Sequence, residues 1–220
     1  FNDASDFANY PSSLEQDCEL AQACGVDAVI LPTYEQLYAD AFAYRVDVCQ
    51  TSFKLEGEKR PGHYQGVLTE VMKLLNCVKP ACLYMGEKDF QQVLVIRRMV
   101  ADMLLPVQIV SMPTCRETDG LAISSRNRYL SRQEREKSSA IYRALQSAVE
   151  RLRNGAFTVE EIEQEGFISL TEMGMKVEYF SIRRQKDLLP VNLSDRNIVV
   201  LTAVWLGSAR LIDNLKVTLD

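Results

Sequence analysis

Short apolar runs alternate with amphipathic stretches through the first half of the chain. Ser13 followed by Gln16 has capping-box spacing, which predicts a helix from about Leu14 to Cys24 with Gly25 as its stop. Ala28 to Leu31 is apolar and ends at Pro32, which reads as a buried strand. Tyr34 to Leu37 fits one helical turn, and residues 45–59 carry no period. A helix from about Tyr64 to Cys77 places Val67, Val71, Leu74 and Leu75 on one face, and Pro80 ends it. Cys82 to Met85 is the next strand. A helix from about Glu87 to Met103 turns Val93, Ile96 and Val100 inward, and Val107 to Met112 is a further strand. Continuously apolar strands separated by helices predict an α/β fold, a parallel sheet covered on both faces. Such sheets take ligands at the carboxyl ends of their strands.

The pattern changes after Pro113. The stretch TCRETDGLAISSRN has no apolar period and reads as a functional loop and a joint between domains, here 1–114 and 115–220. Ser131 with Glu134 forms a second capping box, opening a helix that runs to about Arg153 and stops at Gly155. Thr158 with Glu161 opens another. Val177 to Ile182, Ile198 to Leu206 and Leu211 to Leu219 read as strands, making the tail a smaller α+β domain.

Composition narrows the function. The chain has 220 residues, 47% hydrophobic and 25% charged, enough for a sizeable core. With 25 Lys and Arg against 30 Asp and Glu, the net charge is −5, which gives no electrostatic reason to expect nucleic acid or an anionic membrane as partner. No apolar run approaches the ~20 residues of a membrane span, and the opening FNDASDF is not a signal peptide. Cysteines 18, 24, 49, 77, 82 and 115 form no C-x-x-C pair and read as free thiols of a cytoplasmic protein. Phe1 is followed by the turn residues Asn2, Asp3, Ser5 and Asp6, as if a strand had just ended.

Two segments carry phosphate chemistry. Gly86, Glu87, Lys88 and Asp89 sit where a strand turns into a helix. There a glycine permits close backbone approach, helix N–H groups are free, and Lys88 adds a full charge. Ile123 to Tyr129, ISSRNRY, offers two serine hydroxyls and two guanidinium groups with no competing acid. It also resembles the mobile Ser/Lys loop with which class I aminoacyl-tRNA synthetases hold ATP phosphates. Gln91 and Gln92 begin the helix after GEKD, and only one of two neighbours is expected to face a given site. His63, the sole histidine, is a candidate general base or a structural ring. Asp17 is a candidate Mg²⁺ ligand or a solvated charge.

In order, YPSSLEQDCELAQACGVDAVILP, RPGHYQGVLTEVMKLLN, YMGEKDFQQVLVIRRMV, PTCRETDGLAISSRNRYLS and WLGSARLIDN resemble the pantothenate synthetases along essentially the whole chain. The resemblance implies a Rossmann-like nucleotidyltransferase domain with a smaller C-terminal lid, and a homodimer. It implies ATP-dependent joining of pantoate to β-alanine through pantoyl adenylate, with ATP and Mg²⁺ as cofactors. Gly86, Glu87, Lys88, Asp89, Ile123, Ser124, Ser125 and Arg126 match the ATP-binding segments. Cys115 falls where the family touches adenine through backbone. Gln92 matches a pantoate-binding glutamine. Lys88, Ser124, Ser125 and Arg126 are the implied catalytic groups. Asp17 lies in the family's metal region, although Gln16 and Leu20 depart from the acidic and amide residues of some relatives. The family also has an H-x-G-H loop before the position of Phe1. The sequence leads one to expect a longer living protein, or else a truncated nucleotide-binding or dimerising module without activity.

Overall fold

The computed structural model describes residues 13–38, 44–48, 54–155 and 158–219. The first helix, α1 (Leu14–Ala23), ends with Gly25 in the left-handed region, as the sequence requires. Its predicted capping box does not form. Ser13 sits at ψ 77, outside the extended conformation that aims a cap hydroxyl at the N3 amide, and only its carbonyl is used, by the Asp17 N–H. Residues 28–31 are not a strand. Val29, Ile30 and Leu31 are exposed, and no described strand pairs with them. Apolar patterning reports burial preference but does not supply the ladder partner that makes a strand. The single turn α2 (Tyr34–Leu37) does form, held by a Thr33–Gln36 capping box.

The two helices flanking the parallel strands come next. After the short α3 (Glu56–Lys59), α4 (His63–Val78) buries Tyr64, Leu68, Thr69 and Leu75. This face is rotated from the predicted one, because Val67 and Val71 are only partly covered and Leu68 takes the centre. Lys79 closes the helix in the left-handed region, before Pro80. Strand β1 (Cys82–Gly86) pairs in parallel with β2 (Gln108–Met112), from Cys82 opposite Gln108 to Gly86 opposite Met112. Between them lie a 3₁₀ turn, Glu87–Asp89, and α5 (Phe90–Asp102), which buries Val93, Ile96 and Val100 as expected.

A 3₁₀ turn, Ser125–Tyr129, leads into the C-terminal part. The predicted long helix is two helices, α6 (Arg132–Ser138) and α7 (Ala140–Asn154). The break has a local cause. The Ser138 and Ser139 hydroxyls donate back to the carbonyls of Arg135 and Glu136, competing with the helical ladder. The predicted capping boxes at Ser131–Glu134 and Thr158–Glu161 both form, and Gly155 ends α7 in the left-handed region. After α8 (Val159–Glu172), an antiparallel sheet runs β3–β4–β5, over Lys176–Arg184, Asn197–Leu206 and Ala209–Thr218. Its inner face packs on α7 and α8 around Leu145, Ile162, Leu170, Ile182 and Val200. The whole is an α/β unit followed by an α+β unit.

Candidate active site

Period-2 alternation splits strand β5 into two faces with different tasks. Ala209, Leu211 and Val217 enter the C-terminal core. Arg210, Asn214 and Lys216, on the other face, reach across to the α3 and GEKD segments. Between the two parts lies a cavity of about 560 Å³. One wall is the β1–α5 turn with the starts of α3 and α4. The other is the sheet face around Tyr179, Leu201, Trp205 and Ile212, with Ser124 and Arg126 at the joint.

The two phosphate segments named from the sequence meet here. Lys88, Asp89, Gln92, Ser124 and Arg126 all line the cavity. Lys88 is half-buried, so its charge acts on a neighbouring anion with less screening than at an open surface. Gly86 closes β1 with ordinary extended backbone, and a side chain there would project into open space. No backbone conformation requires a glycine there. Glu87 turns its carboxylate away to the Lys216 ammonium, 2.7 Å distant. Ser124 caps the 3₁₀ turn, accepting from the Arg126 N–H, and Ser125 is that turn's first residue. Ile123 is exposed, and its N–H donates to the Cys115 carbonyl. The Cys115 thiol is exposed, and Cys115 is not among the residues lining the cavity.

Both glutamines reach the cavity, against the expectation that one would point elsewhere. A concave wall wraps far enough around α5 to meet neighbours about 100° apart. Their roles differ. Gln91 is 3% exposed and already committed: its Oε1 accepts from the Glu56 N–H, and its Nε2 donates to the Lys54 carbonyl at 2.9 Å. Gln92 is half-buried.

A buried ion network joins the two walls, and no local sequence signal announces it. Arg210 spans two carboxylates. It donates to both Glu56 oxygens at 2.8 Å, and to Glu178 from Nε at 2.9 Å and Nη2 at 2.7 Å. The Tyr179 hydroxyl donates to Glu56 at 2.7 Å, and the Trp205 indole N–H donates to Glu178 at 2.8 Å. Burial pushes the Glu56 carboxyl up, but its bonds to Arg210 outweigh that and hold it below the ordinary carboxylate range. Burial keeps Tyr179 and Tyr64 protonated. His63 also lines the cavity. Burial, then the Arg60 charge, lowers its pKa to about 4. Arg60 Nη1 lies 3.0 Å from His63 Nε2, and since a guanidinium has no acceptor, that nitrogen must accept. A ring this weakly basic, with its lone pair engaged, is a poor general base at neutral pH.

Asp17 stands on α1, apart from the cavity. Among the described residues, no three His, Cys, Asp or Glu side chains gather as a metal cage. No helix among the described residues is long and apolar enough to cross a membrane.

Comparison with known proteins agrees with this geometry. The pantoate–β-alanine ligase family matches residues 1–216. Pantothenate synthetase of Alkalilimnicola ehrlichii is 43% identical over 222 residues, covering 100% of this chain and 78% of the relative. That of Methylococcus capsulatus is 46% identical with the same coverage. The crystal structure of pantothenate synthetase from Thermus thermophilus superposes with a TM-score of 0.90 at 42% identity, over 96% of this chain and 76% of that one. The Francisella tularensis pantoate–β-alanine ligase, solved with β,γ-ATP and β-alanine, gives 0.78 at 32% identity, over 98% of this chain and 74% of its own. The chain belongs to the pantoate–β-alanine ligase family.

Proposed function

We propose that the cavity between β1 and β5 is where the chain joins pantoate to β-alanine at the expense of ATP. The observation that carries this reading is the convergence of Lys88, Gln92, Ser124 and Arg126 on one cavity from segments separated in sequence. In the first step a pantoate carboxylate oxygen bonds to the α-phosphorus of ATP, and the bond to the bridging oxygen breaks, releasing pyrophosphate. In the second, the β-alanine amine attacks the acyl carbon, loses a proton, and AMP departs. The barrier in the first step is charge gathering on phosphate oxygens, so fixed cations and N–H groups matter most. Lys88, at the carboxyl end of β1, and Arg126, beside the Ser124 and Ser125 hydroxyls, serve the nucleotide. Gln92 offers an amide to the pantoate oxygens. The sheet face of β3–β5 keeps water from the mixed anhydride.

The residue roles and the boundary at 114/115 belong to this reading. The boundary is supported by Arg116, whose guanidinium grips Asp213 on β5 at 2.6 and 2.9 Å. Mg²⁺ takes most of its ligands from phosphate and water, and no protein cage is assigned to it. A homodimer and a cytoplasmic location rest on the family resemblance alone. The test is Lys88→Ala in the whole protein, read by pantoate-dependent ATP–pyrophosphate exchange. A loss of about 100- to 1,000-fold is expected for one preorganised charge partner. A change under threefold removes Lys88 from the site.

A further inference from the structure

The Lys88 turn is held from outside its own domain. The carbonyls of Glu87 and Lys88 both accept from one donor, the Asn214 side-chain amide, with Nδ2 at 2.9 Å from each. Only the NH₂ end of an amide can serve two carbonyls, so the contacts fix which way Asn214 is turned. Asn214 is 6% exposed and is itself clamped. Its N–H donates to Asp213 Oδ1 at 2.7 Å, and its carbonyl accepts from Arg116 Nη2 at 3.1 Å. Arg116 in turn donates to the Gly120 carbonyl and lies over the Tyr142 ring, 4.1 Å from its centre. A continuous chain of short contacts thus runs from α7, through the joint loop, to the turn carrying Lys88.

We infer that Asn214 is a positioning residue for nucleotide chemistry: its amide sets the Glu87–Lys88 turn, and hence the Lys88 ammonium, when the C-terminal sheet is seated on the α/β part. A 3₁₀ turn of three residues has few internal hydrogen bonds, and its orientation is set by what holds its carbonyls. Displacing a charged partner by an ångström costs on the order of 100-fold in rate. Lys88 cannot keep its place if the two carbonyls beneath it lose their shared donor or meet an anion instead.

The inference rests on the role proposed above for Lys88, and the experiment separates the two. Asn214→Ala, Asn214→Asp and Lys88→Ala are compared in the whole protein by ATP–pyrophosphate exchange from about pH 5.5 to 8.5, each relative to wild type at the same pH. Asn214→Ala is expected to lower kcat by about 100-fold, with KM for pantoate changed less than threefold. Asn214→Asp is expected to be worse at the alkaline end, where a carboxylate faces two carbonyls. It should recover relative to wild type as pH falls and its carboxyl, raised by burial, regains an O–H donor. Asn214→Ala should show no such recovery. A merely structural loss would follow the thermal midpoint and give no pH-dependent rescue. If Asn214→Ala fails to fold, the Asn214→Asp profile decides. A flat ratio for Asn214→Asp, or exchange within threefold of wild type for either variant, overturns the inference while leaving Lys88 in place. A silent Lys88→Ala overturns the reading beneath it.

Discussion

The two halves of this molecule use the same kinds of residue with different self-sufficiency. The C-terminal part closes a core from its own elements, with α7 and α8 on one face of β3–β5 and fully buried Leu145, Ile162 and Ile182 between them. The α/β part has two short described strands, and the middle of β1 shows Tyr84 at 66% exposure. Its own cluster, around Leu68 and Ile96, is the smaller. Lys88, Asp89 and Gln92, proposed for the site, line the cavity from the α/β half. The C-terminal half reaches over to that cavity through Arg210, Asn214 and Lys216 on one face of β5. The contacts that cross between the halves should matter both to stability and to the proposed chemistry.

The largest effect is expected at a crossing. Arg210 is the cation that two carboxylates share, and its side chain is 14% exposed, against 9% for Glu56 and 17% for Glu178. Arg210→Met leaves both carboxylates buried without that shared cation, which costs about 3–5 kcal/mol. Chemical denaturation of wild type and variant measures it. A loss below about 1 kcal/mol would mean that this ion network does not hold the halves together.

The contrast between the cores can be tested with one substitution made twice. Leu145, fully buried against α8 and the sheet, should lose about 3–4 kcal/mol on change to Ala. Leu83 on β1 is only partly covered, and the same change should cost about 1 kcal/mol. Equal costs would show that the α/β core is as well packed as the other.

How much of this is legible in the sequence follows the range of each interaction. Capping boxes at Ser131–Glu134 and Thr158–Glu161 close within one turn, so reading them requires nothing but spacing. The inward positions Val93, Ile96 and Val100 come from period alone. Ser13–Gln16 has the same spacing but fails, because the cap residue's backbone is not extended, which spacing does not encode. The apolar 28–31 segment fails for want of a neighbour. The segments proposed to hold phosphate stand out because a site that binds anions needs donors close together in sequence. The walls do not: Arg210 and Glu56 lie 154 positions apart, and nothing near either residue names the other. The buried role of Gln91 is not legible locally, because its partners, Glu56 and Lys54, come from a segment without periodicity.

Two glycines sharpen the comparison of the halves. Gly120 lies at φ +91, and a Cβ there would fall 2.2 Å from the Tyr142 ring. Gly120→Ala combines backbone strain with a clash and should cost about 2–3 kcal/mol. It should also disturb Arg116, which lies over that ring. Gly86→Ala meets open space at an ordinary φ and should change stability by less than about 0.5 kcal/mol. It should nonetheless raise KM for ATP if phosphate passes against that backbone. Thermal midpoints and exchange kinetics on the same samples resolve both. An unchanged KM for ATP in Gly86→Ala would show that the nucleotide does not approach there.

The smallest effect concerns His63 and has a definite sign. An unfolded chain takes a proton on this ring near its ordinary 6.5, whereas in the folded chain burial and the Arg60 charge keep it neutral down to about 4. Between those values the unfolded state binds more protons, so acid favours unfolding. The contribution to stability is whole above pH 6.5, shrinks as pH falls toward about 4, and changes no further below. Carboxylates such as Glu56, held below their ordinary range, lose their own contribution at the acid end of the same scale. A comparison must therefore cancel them. His63→Gln does so, because it leaves Glu56 and Arg210 in place and offers Arg60 an amide oxygen in place of the ring nitrogen. Urea midpoints for the two proteins, taken at steps from about pH 7 to about pH 4.5, should converge, or cross, as pH falls, since only the wild type has a ring to protonate on unfolding. Curves that run parallel through that window would mean His63 titrates alike in both states. The neutral ring assigned here, and with it the argument against His63 as a general base, would then be lost.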